Sequence, residues 1–190
     1  MKNLVIAVFV TFVTVQLSAQ DISFTNSGNG NPTRFYVGLI GKAATLNGDW
    51  GLLGGMRIGY NINNNFGLGL VAHGLIPEKL GGSYINRDGR DELHLGYGGL
   101  EAAYNYRPSD KLYLSGTLMI GAGRCDYEVQ PGYDYFFITE PGVSINYKIT
   151  GWFGLGYSVN YRFASGVNYA DFSNSSFSGW STDLGFKFGF

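Results

Sequence analysis

Cysteine and histidine are nearly missing from this sequence. The 190 residues include one cysteine, Cys125, so no disulfide forms within the chain and a disulfide-stapled scaffold is excluded. We interpret Cys125 as a small buried apolar residue. The two histidines, His73 and His94, lie in no arrangement that resembles a catalytic triad. The sequence therefore predicts no catalytic residue, no metal ligand and no cofactor, and we expect a protein that is not an enzyme.

Charge and long apolar runs are also scarce. Charged residues make up 14% of the chain and the formal net charge is −1, which does not suit nucleic-acid binding. Beyond the N-terminus, no segment approaches the ~20 consecutive apolar residues that a membrane-spanning helix needs. If the protein crosses a membrane, we expect it to do so with strands.

The N-terminus has the plan of a secretory signal peptide. A short basic start, Met1-Lys2-Asn3, precedes the apolar run "LVIAVFVTFVTV" and then the small and polar residues "QLSAQ". The apolar run is too short to span a bilayer as a helix. We assign residues 1–20 to a signal peptide, 21–33 to a flexible polar tail and 34–190 to the folded domain.

Glycine and aromatic residues are abundant, and they alternate. Glycine accounts for 30 residues and aromatics for 16% of the chain, a composition that opposes helix. In "WFGLGYSVNYRF" (152–163), large apolar residues occupy every second position and small or polar residues occupy most of the others, which predicts a strand. Eight segments fit such a strand: 34–46, 50–61, 66–76, 92–106, 112–127, 136–148, 152–164 and 178–190. Most match the ~9–11 residues that a tilted membrane strand needs.

The connections between these strands alternate in length. Those at 61–65, 107–111 and 148–151 are short, whereas those at 77–91, 128–135 and 165–177 are longer. The connection at 47–49 belongs to the second set and is its one short member. Short turns on one side and long loops on the other are typical of outer-membrane barrels. The sequence predicts an all-β, eight-stranded antiparallel up-and-down transmembrane β-barrel, with both termini on the periplasmic side.

Charged side chains of the predicted strands nearly all lie on the parity that would face the lumen. The interior of eight strands is just wide enough for side chains, and charges buried there must pair. We therefore predict a salt-bridged network that plugs the lumen; a narrow or gated conduction path is the alternative. The network comprises Lys42, Arg57, Glu101, Glu140, Arg162, Asp183 and Lys187, with Lys148 on the same parity.

Two places break the alternation. In 92–106, the apolar residues change parity in the middle of the strand, so we expect a β-bulge near Gly98-Gly99. Arg124 falls on the lipid-facing parity near the outer end of its strand. It either reaches lipid headgroups or is turned inward by a second bulge.

The architecture resembles the small outer-membrane barrel families of the OmpA-transmembrane-domain and OmpX/Ail-like type. Over about the last 55 residues, Glu140-Pro141, Trp152-Phe153 and Tyr161-Arg162 also resemble motifs of uncharacterised outer-membrane proteins of Bacteroidota. The resemblance implies an outer-membrane location in a Gram-negative bacterium, and no known activity. It also implies that the alternating aromatics of the last strand are read by the barrel-assembly machinery. These residues are Phe186, Phe188 and Phe190.

We therefore expect a structural or surface-interaction protein that acts through its extracellular loops. The partners we expect are outer-membrane lipid and lipopolysaccharide, the barrel-assembly machinery, and an extracellular ligand bound through loops 77–91, 128–135 and 165–177. A narrow pore for small solutes is the second possibility, and a lipid-modifying enzyme is a distant third.

Overall fold

A computed structural model describes residues 35–63, 65–76, 93–107, 109–127, 132–169 and 172–189. These residues contain eight strands and one helical turn. The strands are β1 Phe35–Leu46, β2 Asp49–Asn61, β3 Phe66–Leu75, β4 Leu93–Tyr106, β5 Leu112–Tyr127, β6 Tyr133–Lys148, β7 Phe153–Ser165 and β8 Gly179–Phe188; the helical turn, α1, is Asn174–Phe177. The predicted signal peptide, the polar tail and the loop 77–91 lie outside the described residues.

The eight strands form one closed barrel in which each strand pairs with its neighbours in sequence and β1 also pairs with β8. Every pairing is antiparallel. The β1–β8 seam runs from Val37 opposite Phe188 to Ala44 opposite Ser181. Closure gives every strand two hydrogen-bonded neighbours, so the sheet keeps no open edge. The predicted eight-stranded up-and-down barrel is confirmed.

Period-two alternation determines which side chains face out and which face in. In β7, Tyr157 and Phe163 are exposed on the outer surface, whereas Asn160 and Arg162 are buried inside. The outer surface of the other strands is likewise apolar, with Leu70 58% exposed. Such a band of exposed apolar side chains suits contact with lipid. Within the part of the chain that the structure describes, no helix is long and apolar enough to cross a membrane.

The two ends of the barrel differ. We call the end with the 62–65, 107–111 and 149–152 turns the turn end; β1 begins there and β8 ends there. The opposite end, with the 76–92, 128–132 and 166–178 connections, is the loop end. The tight two-residue link between β1 and β2 also lies at the loop end, and it uses positive φ at Asn47 and Gly48.

The expected bulge at Gly98-Gly99 is wrong. Pairing runs without interruption through both residues on each side of β4, with Gly98 opposite Ala72 and Ala122. The parity of β4 is therefore constant, and its first apolar residues, Leu93, Leu95 and Tyr97, point into the barrel and are buried. The apolar parity changes along β4 because the lumen itself is apolar near the loop end.

That apolar layer is completed by the last connection, whose residues Tyr169, Phe172 and Phe177 we call the loop-end plug. Phe177 is fully buried, and its ring stacks on Phe136 at 5.1 Å and on Phe172 at 5.3 Å between centroids. The backbone N–H of Asn47 donates to the carbonyl of Ser176 in α1 at 2.6 Å. Segment 165–177, expected as a loop that binds ligand, is in large part folded into the barrel mouth.

Arg124 stays on the outer surface, as the unbulged pairing of β5 with β6 requires. Its guanidinium lies 4.6 Å from the centroid of the Tyr133 ring and 3.6 Å from a carboxylate oxygen of Asp126. Of the two alternatives for Arg124, the inward turn through a second bulge is therefore wrong.

β4 and β5 approach closely where Gly99 faces Gly121, and this contact gives a test of the packing. A Cβ added at Gly121 would lie 2.6 Å from the Cα of Gly99, whereas a Cβ at Gly116 on the same strand would meet no atom within 4 Å. We expect Gly121→Ala to lower the free energy of unfolding by about 1–3 kcal/mol. Gly116→Ala should be neutral or slightly stabilising, as measured by urea unfolding in detergent micelles. Equal effects of the two substitutions would contradict the β4–β5 register.

Candidate functional site

A cluster of charged side chains fills the middle of the lumen. Lys42 of β1 forms an ion pair with Glu140 of β6, and its Nζ lies 3.6 Å from a carboxylate oxygen of Asp183 on β8. All three side chains are almost completely buried. Lys42 and Asp183 are direct cross-strand neighbours, whereas Glu140 reaches Lys42 across the barrel axis. With Tyr97 and Arg162, these residues form what we call the middle cluster.

The phenol of Tyr97 is the hub of this cluster. Its oxygen accepts hydrogen bonds from Lys42 Nζ at 3.1 Å and from Arg162 Nη1 at 3.4 Å, and its O–H donates to Glu140 Oε2 at 3.1 Å. The Arg162 guanidinium also lies 5.3 Å from the centroid of the Tyr97 ring. One neutral side chain thus connects two cations and a carboxylate from three different strands.

Arg162 joins the middle cluster to the loop-end plug. Its Nε donates to the carbonyl of Phe177 at 2.6 Å, and its Nη2 donates to the carbonyl of Thr45 at 3.0 Å. Among the described residues, no carboxylate lies within ion-pair distance of Arg162, although the sequence predicted one. Carbonyl and phenol oxygens satisfy this buried cation instead.

A second group of charges lies nearer the turn end. Arg57 of β2 makes a two-point contact with Glu101 of β4, with Nε and Nη2 each 2.9 Å from a carboxylate oxygen. Lys187 of β8 donates to Tyr113 OH at 3.3 Å, and its Nζ lies 4.0 Å from the centroid of the Tyr36 ring. These residues and Lys148 of β6 form the turn-end cluster.

Neutral polar side chains fill the space around the charges. Asn160 Nδ2 donates to Asp183 Oδ2 at 2.9 Å, and Ser115 Oγ donates to Asn105 Oδ1 at 2.7 Å. The Asn146 amide donates to Ser115 Oγ at 3.2 Å. Sequence reasoning missed the roles of Tyr97, Asn160 and the other neutral residues, although their inward parity would have identified them.

The space left in the lumen is small. A cavity of about 30 Å³ lies between the two clusters, with Arg57, Asp183 and Lys187 in its wall. A water molecule needs roughly 10–15 Å³ of such volume, so the cavity holds two or three waters. The plug at the loop end and the middle cluster across the axis both occupy the lumen, so these described side chains obstruct a straight path through the barrel.

The two histidines lie apart from each other. His73 is buried against Tyr97, with 4.9 Å between ring centroids, and neither ring nitrogen has a hydrogen-bond partner among the described residues. His94 is exposed on the outer surface, with Nδ1 3.3 Å from a carboxylate oxygen of Asp126. Neither histidine contacts a serine or threonine hydroxyl in the described structure, and the arrangement offers no nucleophile–base pair.

The middle cluster generates a stability test. Lys42→Met leaves Glu140 and Asp183 without their shared cation in a buried site, so we expect a loss of about 3–5 kcal/mol in the free energy of unfolding. Lys148→Met, at a half-buried position, should cost about 0–1 kcal/mol. Urea unfolding in micelles measures both values, and Glu140→Gln added to Lys42→Met should recover part of the loss. Equal costs for the two lysine variants would contradict the pairing.

No protein-family model and no curated protein matches this sequence. Solved structures do match the barrel. The N-terminal β-barrel domain of Pseudomonas aeruginosa OprF aligns with 17% identity and a TM-score of 0.58, over 85% of this chain and 100% of that one. Neisserial surface protein A (NspA) aligns with 16% identity and a TM-score of 0.60, over 85% and 100% of the two chains.

The attachment invasion locus protein Ail of Yersinia pestis aligns with 12% identity and a TM-score of 0.53, over 83% of this chain and 96% of that one. All three neighbours are small eight-stranded outer-membrane barrels. At such low identity the likeness concerns the fold alone, since one fold hosts many functions. The chain is therefore similar in its whole architecture to this class of barrel.

Proposed function

We propose that this chain is an integral outer-membrane protein of a Gram-negative bacterium and that its barrel is a closed scaffold for surface interaction. The apolar outer surface and the fold of its structural neighbours support the membrane location. The packed lumen supports the scaffold role. Surface interaction, rather than transport or catalysis, is then the use that the geometry favours.

The filled lumen is the observation that carries this proposal. The loop-end plug closes one mouth of the barrel with three aromatic rings, and Arg162 holds the plug through a backbone carbonyl. Below it, the ion-paired middle cluster crosses the axis, leaving a cavity of about 30 Å³. Because these side chains leave little room for hydrated ions and solutes, they support a structural inside and a function on the outside of the barrel.

The proposal includes an orientation. Short turns of outer-membrane barrels lie in the periplasm and longer loops lie outside the cell. We place the turn end, with both chain ends, in the periplasm and the loop end at the cell surface. The partners then are outer-membrane lipid and lipopolysaccharide around the barrel and a ligand at the loop end. Recognition by the barrel-assembly machinery through Phe186, Phe188 and Phe190 stays a prediction, as do export by residues 1–20 and an origin in Bacteroidota.

The geometry of the last strand is compatible with its proposed role in assembly. Phe186 and Phe188 lie on the outer surface, and Phe188 packs against Trp152 and Phe153 at ring-centroid distances of 6.2 Å and 5.3 Å. Phe190 lies outside the described residues. Aromatic side chains on the outer face of a strand are accessible to the assembly machinery before the barrel closes, because they make no contact inside the lumen.

Planar-bilayer recording tests the closed lumen. We expect the refolded wild-type protein to give no steady current above that of the bare bilayer, while an open porin reconstituted in parallel conducts. A steady conductance that changes when Arg57 or Glu140 is neutralised would overturn the closed scaffold. It would establish the narrow pore instead.

Loop shortening on whole cells tests the surface role. Removing most of 77–91 should abolish adhesion or ligand binding. A variant with the same residues in scrambled order keeps the length of the loop and should lose binding as well if the order of the residues matters. An epitope inserted in 77–91 should be detected on intact cells, and the same epitope in the 107–111 turn should be detected only after the cells are broken. Undiminished adhesion without 77–91 would contradict the interaction role. The reverse epitope pattern would contradict the orientation.

A further inference from the structure

Three basic side chains occupy one cross-strand row of the lumen near the turn end. Lys148 on β6 is opposite Gly154, Gly154 is opposite Lys187, Lys187 is opposite Gly38, and Gly38 is opposite Arg57. All five positions have inward parity. Each pair of neighbouring cations is thus separated by one glycine and by about 10 Å between Cα atoms, two strand spacings. No side chain stands between Arg57 and Lys187.

The charges of the lumen balance in one cluster and not in the other. The middle cluster combines the cations Lys42 and Arg162 with the carboxylates Glu140 and Asp183. In the turn-end cluster, Glu101 engages Arg57 through two contacts, whereas no carboxylate of the described residues lies within ion-pair distance of Lys187. The positive charge of Lys187 is therefore the one that the described part of this cluster does not balance.

Lys187 makes few polar contacts with the described residues. An ammonium group has three N–H donors, and in the described structure one of them is used, on Tyr113 OH at 3.3 Å. The faces of the Tyr36 and Tyr113 rings provide further contact at 4.0 Å and 5.4 Å. Two donors of Lys187 are thus left for a group that the described residues do not supply.

The cavity of about 30 Å³ lies beside these donors. Both Arg57 and Lys187 are in its wall, and the missing side chains of Gly38, Gly156 and Gly185 create its volume. Neutral donors complete the lining: Thr117, Ser144, Asn146 and Ser158. A site with several N–H and O–H donors and a net positive charge is complementary to an anion.

We propose that the cavity between Arg57 and Lys187 binds one small inorganic anion of about the size of chloride. The volume admits two or three water-sized particles, which is too little for phosphate, sulfate or an organic anion. Asp183 also lines the cavity, but its carboxylate lies 3.6 Å from Lys42 Nζ and accepts a hydrogen bond from the Asn160 amide at 2.9 Å. The anion offsets the positive charge of Lys187 and joins β2 to β8 across Gly38.

Chloride-dependent stability tests the site in the refolded mature protein in micelles. The unfolding temperature is measured against chloride concentration, with sodium gluconate holding the ionic strength constant. We expect a saturable rise with chloride and with bromide, and no rise with phosphate. Lys187→Met should weaken the apparent chloride affinity by about tenfold or more, whatever its effect on basal stability.

A matched variant distinguishes the site from general electrostatics. Lys148→Met removes the same charge from the same row at a residue that does not line the cavity, and it should keep the wild-type chloride dependence. Absence of any chloride effect at constant ionic strength would overturn the proposal. So would an equal loss in the two lysine variants, or stabilisation by phosphate as strong as that by chloride.

Cavity filling provides an independent test that leaves the charge unchanged. A Cβ at Gly185 would touch backbone oxygens at 3.8 Å and 3.9 Å, so alanine fits there and occupies cavity space. We expect Gly185→Ala to weaken chloride binding, whereas Gly41→Ala, on the outer face of β1 with its nearest contact at 4.0 Å, should not. Unchanged binding in Gly185→Ala would place the anion elsewhere and overturn the assignment.

The anomalous scattering of bromide also gives the position of the bound anion directly. In crystals grown at a bromide concentration that gives full stabilisation, the anomalous signal should lie between Lys187 Nζ and the Arg57 guanidinium, and it should vanish in Lys187→Met. A signal at another place, or no signal inside the barrel, would contradict the site.

Discussion

The structure depends on how little room a closed eight-stranded cylinder leaves inside. Side chains from opposite strands meet at the axis, so each large inward residue requires a small one beside it. A Cβ at Gly59 would overlap the ring of Tyr36, and one at Gly123 would overlap the ring of Phe136. Part of the glycine content is therefore a packing requirement: glycines on the inner face make room for tyrosine and phenylalanine rings.

The same constraint produces layers. At the loop end, the plug shuts out water, and the inward residues of β4 and the neighbouring strands are apolar. In the middle, long charged side chains cross the axis and balance one another through Lys42, Tyr97 and Glu140. Towards the turn end, hydroxyl, amide and basic groups dominate and Arg57 keeps 23% of its side chain exposed. The layers follow the access of water along the axis, because an unpaired charge is costly where water is absent.

Sequence reasoning was strongest where a local rule determines the structure. Alternation located all eight strands, and every bound in the barrel lies within three residues of its prediction, as at β6, which begins at Tyr133 instead of residue 136. It failed where contacts distant in sequence decide. Nothing local to β4 shows that Leu93 and Leu95 face an apolar plug formed about 80 residues later. The bulge expected in β4 is absent and Phe172 and Phe177 lie in the barrel mouth. Both findings contradict the same assumption, which was that the whole lumen is polar.

The candidate site shows the same division. Parity identified which charges face inward, but the assumption that each cation meets a carboxylate was too simple. Arg162 is satisfied by the carbonyls of Phe177 and Thr45. Lys187 lies against two tyrosine rings. Partners of this kind carry no sequence signature, because a backbone carbonyl is available at any residue and an inward tyrosine looks like ordinary core.

Arg162 connects the interior to the surface, and this connection bears on how the molecule is used. Its guanidinium contacts the hub of the middle cluster on one side and the carbonyl of Phe177 on the other. The segment 172–177 is therefore fixed by the same interactions that stabilise the barrel, and it forms a rigid floor at the loop end. A fixed segment loses little conformational entropy when a partner binds, so a surface that recognises a partner binds more tightly when a segment such as 172–177 holds it in place. A transport path would need the opposite: a segment that leaves the mouth easily, without breaking a buried charge contact.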